Sequence, residues 1–385
     1  MLIVADENIP QVKEAFGAFG EVKLFAGRSI TNKDLKEADV LLVRSVTKVN
    51  KDLLDNTNIK FVATATIGTD HIDKDYLKEK NIAFADAAGC NAYSVAEYVL
   101  CAVTSLFSEL NKKFNESSIG IIGYGNIGKK VAKFTRALGF KVLINDPPLQ
   151  REGYPENFCS LDEALACNVV TFHVPLNKSG VDKTFHLLDE NNIELIKEGA
   201  LLINTSRGPV VDNKILKKRL LEKKDLITVL DVWEDEPKID TQLLELVNIG
   251  TPHIAGYSYE GKINSTVFIY NKFCDYMNVK PSWQPVLSKV ENSVITIDPS
   301  EQIEELLNEI CKKIYDINED SRLLKKAKDY NPDELGKYFD SLRKHYKIRR
   351  EFNNYFIQLT NENETIKKIL ETLRFGVYSP KQIDK

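Results

Sequence analysis

No stretch of this sequence approaches the roughly 18 consecutive apolar residues of a membrane span, so no helical membrane anchor is expected. The first ten residues, MLIVADENIP, carry neither a basic stretch nor a long apolar core, which argues against a secretory signal peptide. There is no basic excess either. The formal net charge is −4, so no positive field covers the molecule, and neither nucleic acid nor a membrane surface is expected as a partner. Cysteine is sparse and scattered, at positions 90, 101, 159, 167, 274 and 311, with no CxxC pair. That spacing supports neither a metal site nor a disulfide framework, and it suits reduced thiols in a cytoplasmic protein. Short-period repeats and low-complexity tracts are also missing.

What is present is apolar residue enough for full-size cores. Of 385 residues, 43% are hydrophobic, and the length suits two or three domains. Short apolar runs alternate with helical patterns from the start. LIVA (2–5), VKLFA (22–26), VLLVRS (40–45), FVATATI (61–67) and IAFADA (82–87) read as strands, with Thr31 and Asp73 as helix caps between them. A long helix is predicted over 92–114, its apolar residues Val95, Val99, Ala102, Val103, Leu106 and Leu110 recurring at three- and four-residue spacing. The alternation then resumes with IGIIG (119–123), KVLIND (141–146), NVVTFHV (168–174), ALLINT (200–205) and LITVLDV (226–232). Strands alternating with helices imply parallel sheets covered on both faces. The pattern therefore predicts an α/β protein with two doubly wound domains. Residues 1–92, completed by 257–280, form the first and 93–256 the second, with crossings near 90–94 and 256–261 that suit a hinge. After the linker KPSWQP (280–285), residues 281–385 are expected to form a small α+β domain.

The strongest local signal is GYGNIG at 123–128, between the strand IGII and a helix. Gly123 permits the tight turn, Gly125 lets the backbone approach a pyrophosphate, and Gly128 lets helix and strand pack closely. Asn126 and Ile127 supply the first amides of a helix whose positive end holds the phosphates. Asp146 ends the next strand, where it can accept the adenosine ribose hydroxyls and would repel a 2′-phosphate. The expected cofactor is NAD.

Three charged residues each follow a strand of the second half: Arg207 after ALLINTS, Glu236 after LITVLDVWED and His253 after IGTP. In a parallel sheet the carboxyl ends of the strands share one edge. Alcohol oxidation needs a base for the hydroxyl proton, and His253 suits that role. Glu236 can hold the other ring nitrogen, and Arg207 can pair with a substrate carboxylate. His71, His173, His186 and His345 read as structural. At 44–48, RSVTK ends a strand and offers Arg44, Ser45, Thr47 and Lys48, a set that suits a phosphate dianion.

The order GYGNIG, Asp146, NTSRG, DVWEDEP, TPHIAG resembles the D-isomer-specific 2-hydroxyacid dehydrogenases over about residues 1–280. The resemblance implies an NAD-dependent oxidoreductase, with Arg207, Glu236 and His253 as its catalytic residues. It places Val174, Thr205, Ser206, Asp231 and Gly256 at the cofactor, and Ser45, Thr66, Gly68 and Tyr257 at the substrate. Val174 departs from relatives that often carry a small polar residue there. VRSVTKVN (43–50), GCNAYSVAEYV (89–99) and FDSLRKHYKIRREF (339–352) are similar to one branch of that family, whose tail is a dimerisation domain. A homodimer is expected on that ground, and also because so small a domain buries little surface alone. Other readings of the same residues are a sibling dehydrogenase acting on 3-phosphoglycerate and a non-catalytic NAD-sensing protein.

Overall fold

The computed structural model describes residues 1–300 and 302–378. The chain divides into two compact units, Met1–Asn91 with Ser258–Lys289, and Ala92–Tyr257 with the chain from Val290 onward. No helix among the described residues is long and apolar enough to cross a membrane.

In the first unit, five strands β1 (Leu2–Asp6), β2 (Glu21–Phe25), β3 (Val40–Val43), β4 (Phe61–Thr64) and β5 (Ala83–Asp86) form a parallel sheet in the order β2-β1-β3-β4-β5. β3 and β4 are buried along their whole length, as strands covered on both faces must be. The edge strand β2 is exposed or half-buried throughout. The helix Tyr259–Tyr276 returns to this unit and seats Ile269, Tyr270 and Phe273 against Phe16 and Phe61.

In the second unit, β6 (Ser118–Ile122), β7 (Lys141–Asn145), β8 (Val169–Phe172), β9 (Leu201–Asn204), β10 (Ile227–Leu230) and β11 (Ile249–Gly250) form a parallel sheet. Its order is β11-β10-β9-β8-β6-β7. The chain steps from β6 outward to β7 and then back across to β8, so the strand order reverses at β6. Such a reversal opens a crevice at the carboxyl ends of the strands.

The long helix runs Ala92–Glu109, five residues shorter than the sequence predicts. It stops because Asn111 turns left-handed, with φ +52°, and Leu110 lies exposed beyond the end. The sequence suggests an amphipathic helix, yet nearly every side chain from Ala92 to Phe107 is buried. The tail supplies the missing cover. Residues 303–325 form two helices, Ile303–Ile314 and Ile317–Lys325, parted at Tyr315 and restarted by the Asp316 cap. Leu306, Leu307 and Ile310 of the first pack into the same core as Val99, Val103 and Leu106. Behind them the strands β12 (Val294–Ile297), β13 (Phe356–Leu359) and β14 (Gly376–Tyr378) pair in parallel.

Polar contacts fasten the tail as firmly as packing does. The buried Glu97 of the long helix accepts from the Phe352 amide at 3.1 Å and from Arg374 at 2.7 Å. Phe352 is fully buried and stacks on Phe375, their ring centroids 4.6 Å apart. Truncating a buried phenylalanine costs about 3–5 kcal/mol. Phe352→Ala is therefore expected to lower stability by about that amount in denaturant unfolding; a loss below about 1 kcal/mol would mean that the tail is a loosely attached appendage.

Candidate active site

The glycine turn after β6 is shaped by what presses on it. Gly123 has φ +95°, and a Cβ there would lie 2.6 Å from the His173 carbonyl oxygen and 2.9 Å from Val174 Cγ1. Val174 thus packs an apolar branch on the turn. The helix Asn126–Ala137 follows with Gly125 as its N-cap, and no side chain caps its first amides. A Cβ on Gly125 would meet nothing within 4 Å. Uncapped amides facing open space are what a pyrophosphate needs, so these residues fit a dinucleotide. Gly128 serves close packing, since a Cβ there would strike the Gly123 carbonyl oxygen at 2.0 Å.

Asp146 follows β7 beside the turn. One carboxylate oxygen accepts the Tyr124 amide at 2.7 Å and the other the Leu149 amide at 3.0 Å. Each oxygen keeps a lone pair with which to accept from a ribose hydroxyl. Thr205 and Ser206, at the end of β9, are buried with their side chains turned inward. Thr205 Oγ1 lies 3.3 Å from His173 Nδ1, and the Ser206 hydroxyl donates to Asn204 at 2.8 Å.

The catalytic candidates come from the ends of β9, β10 and β11. Gly208 lies so close to the next loop that a Cβ would fall 1.8 Å from the Trp233 carbonyl oxygen. Only a glycine lets the Arg207 loop rest on the turn that carries Glu236. Arg207 itself donates from Nη1 to the Ser206 carbonyl at 2.7 Å. Glu236 accepts the Trp233 amide at 2.9 Å through one oxygen and faces His253 Nδ1 at 2.8 Å through the other. Burial works to raise the Glu236 carboxyl. His253, the hydrogen bond to it, the Trp233 amide and Arg343 outweigh that and hold it below the usual carboxylate range. An ionised Glu236 accepts from Nδ1–H, which leaves Nε2 as the basic nitrogen. His253 is held in the left-handed region, φ +56°, with its amide donating to the Asp231 carbonyl at 2.7 Å. Backbone strain of that kind persists only where the surroundings impose it.

Asp231 is not turned outward. Its carboxylate accepts from Thr251 Oγ1 at 2.6 Å, the Ile254 amide at 2.7 Å and the Ala255 amide at 3.0 Å, so it fixes the loop that bears His253. Gly256 and Tyr257 complete that segment.

Two features escape the sequence. His186, read there as structural, lies between two carboxylates, with Nε2 2.6 Å from Glu234 and Nδ1 3.3 Å from Asp212. It ties the loop after β8 to the loops that carry Arg207 and Glu236. The second is Arg343, on the tail helix Pro332–Lys344, which donates to the Tyr257 hydroxyl at 3.0 Å within the same subunit. Each links residues far apart in sequence, so neither contact can be read from a local motif.

The other candidates lie in the first unit, at the carboxyl edge of its sheet. Arg44 is half-buried after β3, while Ser45 and Lys48 are exposed. Thr47 is buried and spends its hydroxyl proton on the Gly27 carbonyl at 2.8 Å, which turns it to holding the loop. Thr66 donates to the Gly68 carbonyl at 2.9 Å and meets Thr64 at 2.7 Å, and His71 Nε2 lies 3.0 Å from Thr64. Burial, opposed by the neighbouring Asp70, lowers the His71 pKa, so this chain of polar groups is built on a neutral imidazole.

Comparison with known proteins shows the family and the fold. Residues 104–255 match the NAD binding domain of the D-isomer specific 2-hydroxyacid dehydrogenases, and residues 286–372 match a domain of unknown function. A D-lactate dehydrogenase from Aquifex aeolicus, solved with NAD and lactic acid, is 28% identical. It superposes with a TM-score of 0.55 over 72% of this chain and 96% of that one. An NAD-bound 3-phosphoglycerate dehydrogenase from Entamoeba histolytica shares the fold at 24% identity, with a TM-score of 0.61 over 74% of this chain and 99% of its own. Much nearer in sequence is the erythronate-4-phosphate dehydrogenase of Pseudomonas fluorescens SBW25, 41% identical over 97% of this chain and 99% of its own length. That of Proteus mirabilis HI4320 is 40% identical over 98% and 99%. With likeness of that order along nearly its whole length, the chain belongs to the erythronate-4-phosphate dehydrogenases, NAD-dependent oxidoreductases of the D-isomer specific 2-hydroxyacid dehydrogenase family.

Proposed function

We propose that this protein oxidises carbon 2 of 4-phospho-D-erythronate to give (R)-3-hydroxy-2-oxo-4-phosphooxybutanoate, a step in pyridoxal phosphate biosynthesis. We further propose that it works in the cytoplasm as a homodimer joined through its tail. The observation that carries the reading is the His253–Glu236 pair, 2.8 Å apart at the edge of a sheet whose glycine turn fits a dinucleotide. NAD, when bound, accepts the hydride from carbon 2. His253 takes the hydroxyl proton on Nε2, and the Glu236 carboxylate stabilises the imidazolium that results. Arg207 pairs with the substrate carboxylate and polarises the forming carbonyl. The Thr66–Gly68 loop offers the carboxylate its backbone amides, and Arg44, Ser45 and Lys48 suit the phosphate.

The outward face of the tail sheet supports the dimer. Val294, Phe356 and Tyr378 are exposed there on three adjacent strands, and exposed apolar patches of this kind mark contact surfaces. The free cysteines, nearly all buried, suit a reducing compartment.

The substrate assignment is tested by NADH formation with 4-phospho-D-erythronate, 3-phosphoglycerate and D-lactate in parallel. The first is expected to give the highest kcat/KM, and a preference for either of the others would replace the assignment.

His253→Ala should cut turnover by about two to four orders of magnitude, the usual worth of a positioned general base, with cofactor affinity little changed. Glu236→Gln removes the charge that favours the imidazolium. The acid limb of the pH–rate profile for oxidation should then move to lower pH, and a profile that stays in place would refute the pairing.

Cofactor choice provides a separate check. Wild-type protein should strongly prefer NAD to NADP, and Asp146→Ala should narrow that preference. Equal efficiency of the wild type with both would remove Asp146 from the ribose site.

A further inference from the structure

Arg343 is an unusual cation for its surroundings. It stands in the last turn of the helix Pro332–Lys344, and its side chain is about two-thirds buried, with 30% exposure. Its Nη2 donates to the Tyr257 hydroxyl at 3.0 Å, and its guanidinium lies 5.6 Å from the centre of that ring. Among the described residues no carboxylate comes within hydrogen-bond reach, and the nearest ion-pair partner is Asp340, 4.0 Å from Nη1. Nε is buried and has no hydrogen-bond partner among the described residues. A guanidinium has five N–H donors, and few of these are used here. Two other arginines of the same unit are paired with carboxylates. Arg219 pairs with Asp225 at 2.9 Å, and Arg374 pairs with both Glu97 and Glu351.

A half-buried cation with donors to spare needs an anion to complete it. The place is telling, because Tyr257 closes the segment that bears His253, and the Arg343 charge is felt by the Glu236 carboxylate. A tyrosine that accepts from a guanidinium is also a stronger donor through its own O–H.

We propose that Arg343, acting with Tyr257 in the same subunit, is a specificity residue that reads the dianionic phosphate of the substrate. The inference rests on the substrate assignment above. It gives the tail a part in recognition that is separate from any part in dimerisation. It also places that part in cis, since the Tyr257 that Arg343 bonds belongs to the same chain.

The test compares 4-phospho-D-erythronate with D-erythronate, which lacks the phosphate. In Arg343→Gln the ratio of their kcat/KM values should fall about ten- to a hundredfold, the worth of one charge-assisted hydrogen bond to a dianion. The loss should fall mainly on KM. Arg343→Lys should recover part of the ratio, because charge remains while the two-pronged geometry is lost. A merely structural arginine would lower both substrates alike and leave the ratio unchanged, and that result overturns the proposal. If Arg343→Gln does not fold, Arg343→Lys and Tyr257→Phe carry the same comparison.

A second readout separates this proposal from the substrate assignment. Inorganic phosphate should bind the NADH complex at least tenfold more weakly in Arg343→Gln than in wild type, by calorimetry. Weakened phosphate binding in a protein that does not turn over 4-phospho-D-erythronate would keep the anion site and discard the substrate. Normal phosphate binding with an unchanged ratio would keep the substrate and discard the site. Mixing Arg343→Gln subunits with His253→Ala subunits should restore no activity beyond that of the separate proteins, and recovery would show that the arginine acts across the dimer.

Discussion

The Asp231 carboxylate, only 1% exposed, accepts a hydroxyl and two amides from the segment that carries His253. Burial pushes its carboxyl up, while His253, Thr251 and the two amides pull it down. Thr251 donates to Asp231 and so accepts from Tyr98 at 2.6 Å, which extends the chain of hydrogen bonds into the long helix. Trp233 Nε1 donates to the Thr251 carbonyl at 2.9 Å, and Arg349 of the tail donates to the Ala255 carbonyl. The loop is thus held by its own sheet, by the long helix and by the tail. Taking away the carboxylate would leave several buried donors unpaired at once, each costing about 1–3 kcal/mol. The left-handed backbone of His253 persists because so many bonds impose it.

The sheets were legible in the sequence because period and composition decide them locally. Each of the ten apolar runs quoted in advance holds a strand, and the glycine turn sits between β6 and its helix as the motif requires. The Glu236–His253 contact was legible too, since residues that follow neighbouring strands reach one edge. The side-chain directions at that edge were not. Asp231, Thr205, Ser206 and Thr47 read from the sequence as ligand-binding positions, and their polar atoms are bonded within the protein. Whether a hydroxyl faces a ligand or a carbonyl depends on a partner distant in sequence. Thr47 needs Gly27, and Thr205 needs His173.

The tail was the least legible part, and the reason is physical. Its strands are short, and its charged residues mask the apolar periodicity: β12 alternates exposed and buried residues over only four positions. Its strongest ties are single side chains that reach the long helix. Arg349 stacks on Tyr315 and donates to the Ser94 hydroxyl, while Arg374 joins Glu97 to Glu351. The Glu97 carboxyl is pushed up by burial and by Glu351 beside it, and Arg374, the Phe352 amide and Arg349 offset part of that. An acid in the middle of an otherwise apolar helix looks like a solvated position. It is instead the socket into which the tail plugs.

That attachment bears on the chemistry through charge. Burial by itself would favour a neutral Glu236, and a neutral acid would no longer oblige His253 to hold its proton on Nδ1. The carboxylate stays ionised because His253, the Trp233 amide and Arg343 together overcome the burial. One of those three comes from the tail, where it is steadied by the Tyr257 hydroxyl and by the helix that carries it. The Glu236–His253 pair and the tail are therefore electrostatically linked within one subunit. Moving the helix Pro332–Lys344 away from Tyr257 would take positive charge from the surroundings of Glu236, although His253 and Glu236 themselves need not move.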